Sequence, residues 1–230
     1  MVYKGITLDK LFADICAKFS LKTGVIDTSD YVLTGEVCEG KALWDVLSEA
    51  IENTLAYTKR LFIVRDNFGG LELRDIENLR TDFVIDDENV GMGFDYSVGI
   101  DKNTYNQVRI GYEDSKASER KWGFVWDQEL IDKWGTLQLY KLLKTPLPVE
   151  QLEERATAML QIHARPSRTV RLTCFGDFRI SAGCGISLQM ERVLAFKGLN
   201  RFYVSSCQHN VSNDKHTMGL TLAIDSFGEG

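Results

Sequence analysis

The residues with the most chemical potential in this 230-residue chain fall in a few places, and each pattern names its own chemistry. Gly35-Glu36-Val37-Cys38-Glu39-Gly40-Lys41-Ala42 follows the phosphate-cradling G-x-x-x-x-G-K pattern up to its last position and precedes a helical stretch. The position that fails is the one that ligates magnesium: Ala42 has no hydroxyl, and Glu36 and Glu39 would set negative charge beside the phosphates. The loop therefore reads as a helix-entry turn, with nucleotide binding the weaker alternative.

Cys207, His209 and His216 can share one face of the C-terminal hairpin and offer N and S ligands to a soft metal. No fourth ligand is evident, so a buried thiol and two turn-flanking histidines are expected instead of a metal. A Cys-His nucleophile from the same residues lacks an orienting acid or amide and oxyanion donors. The acids Asp82, Asp86, Asp87, Glu88 and Asp95 lack the spacing of a calcium loop and read as a solvated connection. His163 follows Met159 and Leu160 on a helical face and reads as a packing histidine. Trp122, Trp126 and Trp134, with Tyr140, gather aromatic area in one segment; they serve either as anchors of a protein interface or as a plug for a β-domain. No catalytic, cofactor-binding or metal residue is assigned.

Composition limits the partners. A formal charge of −6 with 44% hydrophobic and 26% charged residues describes a globular chain without the basic footprint of a nucleic-acid binder. No run reaches the roughly 18 apolar residues of a spanning helix, and the N-terminus lacks the apolar stretch of a secretion signal. Neither nucleic acid nor membrane is expected as a partner. Five cysteines without a Cys-x-x-Cys pair fit reduced thiols.

Two helices open the chain. Leu8, Leu11, Phe12, Ile15 and Phe19 recur at helical spacing behind Thr7 as N-cap, and Leu43, Val46, Leu47, Ala50, Ile51 and Leu55 mark a second amphipathic helix. Between them Tyr31 to Leu33 is a possible strand. Leu61-Phe-Ile-Val64 and Leu71-Glu-Leu73 flank Asp66-Asn-Phe-Gly-Gly70, a β-hairpin signal. Residues 1–80 are thus expected to form a small α+β domain. Residues 81–230 read as an antiparallel β-barrel or sandwich, with strands at 83–85, 93–96 and 105–112 and again from Arg168, interrupted by a helical insertion at about 115–167. Within the insertion, Gln128 to Trp134 forms a helical turn, and Pro148 at the first helical position opens a helix carrying Leu152, Ala156, Met159 and Leu160.

The stretch Phe175 to Met190 organises the second domain. Its apolar residues alternate at Phe178 and Ile180 and again at Ile186, Leu188 and Met190, which predicts strand, glycine-bearing turn and strand. In the C-terminal hairpin, a turn centred on Asn213-Asp214 would set Val211 opposite His216, His209 opposite Met218 and Cys207 opposite Leu220. It would also put Met218, Leu220, Leu222 and Ile224 on one buried face.

Several phrases together resemble one family. LFIVRDNFGGLELRDIENL (61–79), FDYSVGIDKNTYNQVRIGYED (94–114), KWGTLQLY (133–140), FGDFRISAGCGISL (175–188) and NDKHTMGLTLAI (213–224) are similar, in order, to the XkdQ-like tail hub proteins of prophages and phage-like particles, related to the late control protein D type of contractile-tail hub. The resemblance implies a non-enzymatic homotrimer in a phage, prophage or tailocin tail, assembled in the bacterial cytoplasm, that joins the tail tube to spike and baseplate proteins. Such hubs usually begin with a further β-domain, whereas this chain opens on the helical α+β unit, as a fragment or a naturally divided hub would. The competing readings are a tail-associated peptidoglycan-degrading enzyme and a nucleotide-binding protein.

Overall fold

The computed structural model describes residues 2–37, 40–88, 90–114, 119–143, 146–190 and 199–224, and of these the side chains of 2, 36–37, 90–92, 113–114, 119 and 224 are left aside. The chain is α+β, as its sequence patterns imply. Strands β1 (Val2–Tyr3) and β2 (Ile6–Thr7) lead into helix α1 (Leu8–Lys18); β3 (Thr23–Ile26), β4 (Val32–Leu33) and β5 (Glu36–Val37) precede helix α2 (Leu43–Thr58). The helical spacing of α1 is realised as a stripe of buried Leu8, Leu11, Phe12 and Ile15. Thr7 sits at the N-cap but makes no side-chain capping bond. Instead the Ser29 hydroxyl, twenty-one residues from Leu8, accepts the Leu8 N–H at 3.0 Å, and the Asp9 carboxylate accepts the Ser29 N–H at 3.1 Å. The cap is therefore a tertiary contact that no local pattern announces.

The hairpin β6 (Phe62–Asn67) and β7 (Gly70–Asp75) forms where the Asp-Asn-Phe-Gly-Gly signal places it. Phe68 and Gly69 both take positive φ, and the Asp66 side chain accepts the Gly69 N–H. Then come β8 (Arg80–Ile85), β9 (Val90–Gly99), β10 (Gln107–Asp114), β11 (Glu119–Trp126), α3 (Gln128–Trp134), β12 (Gln138–Leu143) and α4 (Val149–His163). The chain finishes with β13 (Ser167–Phe175), β14 (Gly185–Leu188), β15 (Asn200–Ser212) and β16 (Lys215–Ile224). Two compact units result. One comprises Met1–Arg60, Val64–Leu73 and Ile100–Ser167, the other Leu61–Ile63, Arg74–Gly99 and Arg168–Gly230.

The second unit is built on a six-stranded sheet in the order β8-β14-β15-β16-β13-β9. Among the described residues this sheet stays open, with β8 and β9 at its edges, so the expected barrel is corrected to an open sheet. It is also not wholly antiparallel, because β8 and β14 run parallel. The strand expected to join it from 105–112 goes elsewhere: β10 pairs with β11 and β12 in a separate three-stranded sheet, in the order β11-β10-β12. The supposedly helical insertion thus holds two strands as well as α3 and α4, and β12 lies parallel to β10.

Within the six-stranded sheet, register follows turn chemistry. Asn213 and Asp214 both have positive φ, as a two-residue hairpin turn of the favoured twist requires, and Val211 faces His216, His209 faces Met218 and Cys207 faces Leu220. Met218, Leu220 and Leu222 are buried together with Ile85, Val170, Leu172, Ile186, Leu188, Phe202 and Val204. Each such side chain contributes about 1.5–3 kcal/mol of transfer free energy.

The stretch Phe175 to Met190 differs from its apparent alternation in one half. Ile186, Leu188 and Met190 are buried as expected, but residues 176–184 form successive turns and no strand. Asp177 explains this: its carboxylate accepts the Arg179 N–H at 2.9 Å while its carbonyl accepts the Ile180 N–H, and a second turn bonds Cys184 to Ser181. Phe178 accordingly projects outward, 75% exposed, while Ile180 is fully buried. One smaller boundary also shifts: Pro148 is the N-cap of α4, not its first helical residue.

Candidate functional site

Three-stranded sheets with one face covered must leave the other to solvent or to a partner. Here α4 covers one face. Val108, Ile110 and Tyr112 of β10 and Leu143 of β12 pack with Leu152, Ala156 and Met159 of α4 into one buried cluster. Gly123 of β11 lies so close beneath α4 that a Cβ there would overlap the Leu152 carbonyl and the Glu153 N–H.

By the period of two, the opposite face carries Gln107, Arg109 and Gly111 from β10, Trp122, Phe124 and Trp126 from β11, and Gln138, Tyr140 and Leu142 from β12. Cross-strand pairing sets Arg109 between Phe124 and Tyr140, and Gly111 between Trp122 and Leu142. The Arg109 guanidinium lies over the Trp122 ring at 4.3 Å, Trp122 and Tyr140 centroids are 5.5 Å apart, and Phe124 and Trp126 are 5.1 Å apart. Trp122 can lie flat only because residue 111 has no side chain; a Cβ at Gly111 would overlap its ring. Trp126 remains 52% exposed and Tyr140 50%, with Phe124 and Leu142 also exposed. Such an apolar, aromatic and arginine-bearing patch has the composition of an interface core.

Three of the four aromatic residues singled out in the sequence, Trp122, Trp126 and Tyr140, thus share one sheet face. Trp134 does not. It lies at the end of α3, a helix with no fully buried residue, where the Lys133 ammonium sits 5.9 Å from its ring. Arg109, Phe124 and Leu142 were missed. The i, i+2, i+4 spacing of Trp122, Phe124 and Trp126 is the signal that could have found one of them.

The other candidates lie in ion pairs and packed clusters. Cys38 and Glu39 lie outside the described residues, whereas the Lys41 ammonium binds the Glu49 carboxylate at 2.5 Å. That ion pair belongs to a network in which Lys141 reaches Glu49 at 3.3 Å and Glu52 at 3.0 Å. His163 completes it, with Nε2 3.8 Å from Glu52, Nδ1 3.0 Å from the Asn103 carbonyl and its ring edge-on to Tyr105. Burial alone would raise the Glu52 carboxyl; the nearby His163 ring and the Lys141 ammonium outweigh it and hold the group at about 2, against an ordinary 4.5. A carboxyl with a depressed folded-state pKa stabilises the fold above its unfolded value and loses that contribution as pH falls toward the folded one. The melting temperature of Glu52→Gln should therefore lie below that of the wild-type chain near neutrality, and the gap should close between about pH 5 and 2. A gap independent of pH would remove this network from the account.

On the C-terminal hairpin, Cys207 Sγ lies 3.3 Å from His209 Nε2, and His209 Nδ1 lies 2.9 Å from His216 Nε2. The decisive contact is a third one: His209 Nε2 is 2.8 Å from the Ile180 carbonyl. A carbonyl only accepts, so Nε2 carries the proton, and in neutral His209 the Nδ1 atom accepts from His216 Nε2–H. A nitrogen committed in this way cannot take a proton from Cys207, and burial, reinforced by Cys184, raises the thiol further above its ordinary value. Phe178 stacks on His216 at 4.0 Å, closing the group from outside. The three residues are a packed polar cluster. Among the described residues no group of three or more His, Cys, Asp or Glu side chains could hold a metal ion. The acids of the 82–95 stretch are dispersed: Asp82 pairs with Arg179 at 3.3 Å, Asp95 with Arg171 at 3.6 Å, and Asp86 accepts the Glu88 N–H.

The model of the YQBQ-like family matches residues 1–223. The chain belongs to that family. Within reach of it is the phage-like element PBSX protein XkdQ of Bacillus subtilis, 20% identical over 224 residues that cover 96% of this chain and 67% of XkdQ. The fold of this YQBQ-like chain is also that of the 43 kDa tail protein of prophage MuSo2 from Shewanella oneidensis. Their TM-score is 0.65 at 12% identity, over 98% of this chain and 68% of that one. A tail protein from Neisseria meningitidis MC58 has TM-score 0.66 at 14% identity, over 99% and 69% of the two chains.

Proposed function

We propose that this protein is a structural subunit of a phage-type tail, acting in the baseplate hub of a phage, prophage or tailocin particle. There it forms a homotrimer that joins the tail tube to spike and baseplate proteins and is not an enzyme. The observation that carries the reading is its fold, which corresponds along nearly the whole chain to that of a prophage tail protein and of a second tail protein. Family membership and the likeness to a phage-like element protein support it further. Assembly takes place in the bacterial cytoplasm, and neither nucleic acid nor membrane takes part; no described helix is long and apolar enough to cross a bilayer.

The exposed face of β10, β11 and β12 supplies the contact between copies in this reading. A ring of three requires a head-to-tail contact, in which one patch of a subunit meets a different patch of the next. A flat aromatic face with a stacked arginine suits the fixed half of such a pair, since Trp, Tyr and Arg dominate binding energy when desolvated.

Light scattering of the purified chain tests this directly. Three chains per particle are expected for the wild type and single chains for Trp126→Asp, with unchanged circular dichroism. A wild-type chain that stays monomeric at all concentrations, or a trimer untouched by Trp126→Asp, would refute the contact. Clearing of cell walls that disappears in Cys207→Ala or His209→Ala would replace the structural reading with that of a peptidoglycan hydrolase.

A further inference from the structure

A cavity of about 260 Å³ opens in the first unit, lined among others by Tyr31, Asn53, Tyr57, Gln151, Glu154 and Arg155. This is just under the roughly 300–1,000 Å³ usual for small-molecule pockets, so it suits something the size of one amino-acid residue. Its chemistry is unbalanced. Arg155, on α4, is only 8% exposed, and its buried Nε and Nη2 atoms have no hydrogen-bond partner. Asn53, on α2, is 9% exposed, and its buried Oδ1 likewise has none. A buried unpaired donor or acceptor costs about 1–3 kcal/mol, and a charged one more.

The two unpaired nitrogens of Arg155 are informative as a pair. Nε–H and the adjacent Nη2–H point the same way from one edge of the guanidinium plane, which is the edge that receives both oxygens of a carboxylate. Among the described residues no carboxylate bonds these two nitrogens, although Glu154 belongs to the lining. Tyr31 and Tyr57 stack on each other at 4.5 Å, and burial raises both hydroxyls, so neither is a phenolate near neutrality. Glu154 is exposed. The unpaired Asn53 oxygen asks in addition for a donor close to the carboxylate.

We infer that this pocket binds a peptide carboxylate, seated on the Nε and Nη2 edge of Arg155, whose neighbouring amide N–H donates to Asn53 Oδ1. A chain terminus carries both groups on one residue, and an acidic side chain carries them on the same residue at greater separation. The stacked tyrosines form the apolar wall for its carbon atoms. The inference does not depend on the tail-hub reading, because it rests on unpaired groups within one unit.

Isothermal titration of the full chain with three capped peptides tests it. N-acetyl-Ala-Ala-Leu with a free terminus is the first probe, its C-terminal amide the second, and N-acetyl-Ala-Glu-Ala amide the third. The free acid is expected to bind at least about tenfold more tightly than its amide, and Arg155→Met to erase that difference. Preferential binding of the glutamate peptide would keep the carboxylate site and assign its source to a side chain. The acid-versus-amide comparison needs no variant, so it stands even if Arg155→Met does not fold. Arg155→Lys should recover only part of the affinity, since an ammonium cannot offer the paired edge. No binding of either acid at millimolar concentration, or equal binding by wild type and Arg155→Met, would overturn the inference and leave water as the filling of the pocket.

Discussion

Leu188→Asp is expected to unfold the second unit or leave it barely stable. Leu188 is fully buried in β14, which lies between β8 and β15 in the six-stranded sheet, and it packs in the main cluster with Ile186, Phe202 and Leu220. Truncating a buried leucine costs about 2–5 kcal/mol, and a carboxylate at the same place must in addition be desolvated or protonated. The sum rivals the whole stability of an ordinary domain, about 5–15 kcal/mol. Chemical denaturation should show the loss, with association lost only as a consequence. A variant as stable as the wild type would mean that β14 presents this position to solvent.

Gly123→Ala is the second large effect, and it comes from adding a single methyl group. The backbone of α4 passes directly over β11 at Gly123, so the new Cβ meets the Leu152 carbonyl and the Glu153 amide, neither of which can rotate away. Relief requires α4 to lift off the sheet, which opens the cluster around Val108, Ile110 and Met159. A loss of about 1–3 kcal/mol is expected, at the upper end of overpacking because the obstacle is backbone. Gly111→Ala, on the opposite face, also introduces a clash, with the Trp122 ring, which can move, and with the Lys121 carbonyl, which cannot. It should therefore cost stability as well and, by displacing Trp122, should disturb association. Denaturation midpoints are expected to fall for both variants; a Gly123→Ala chain as stable as the wild type would mean that α4 does not pass over β11 at this position.

Where local chemistry decides, the sequence was legible. The hairpin at Ser212–Lys215 carries Asn213 and Asp214, which accept positive φ, and its register follows from the turn alone; that at Asp66–Gly70 is marked by Gly69 and the Asp66 side chain, although Phe68 also takes positive φ. The stripes of α1 and α2 and the alternation of Ile186, Leu188 and Met190 follow from burial of one face.

What escaped was non-local. β12 joins β10 in parallel across some thirty residues, and its alternation is masked because Leu139 and Leu143 face α4 while Tyr140 and Leu142 are apolar on the other side. With that sheet unseen, the strand 107–114 was assigned to the wrong partner set. Phe178 and Ile180 alternate like a strand, but Asp177 bonds its own backbone two residues on, and a side-chain hydrogen bond of this kind overrides a weak periodicity. Ser29 caps α1 from a distance no pattern spans. Arg155, in the run Glu153-Glu154-Arg155-Ala156, reads as a solvated helix position and is buried because α4 turns that face toward α2 and the sheet.

The aromatic residues were half legible. Their concentration was plain, but their common face required the register of β10, β11 and β12, which brings Arg109 onto Trp122 and exposes Trp126 and Tyr140 on the same side of the sheet. A buried plug and an exposed interface have the same composition, and only the position of α4 distinguishes them.

The central claim, that this chain is a structural part of a tail hub, is tested most directly by cryo-electron microscopy of purified tail particles from the bacterium that carries it. The account predicts three copies per particle at the baseplate end of the tube, with the face bearing Trp122, Trp126 and Tyr140 buried between neighbouring copies. Particles that are complete without the chain, or that hold it with that face open to solvent, would contradict it.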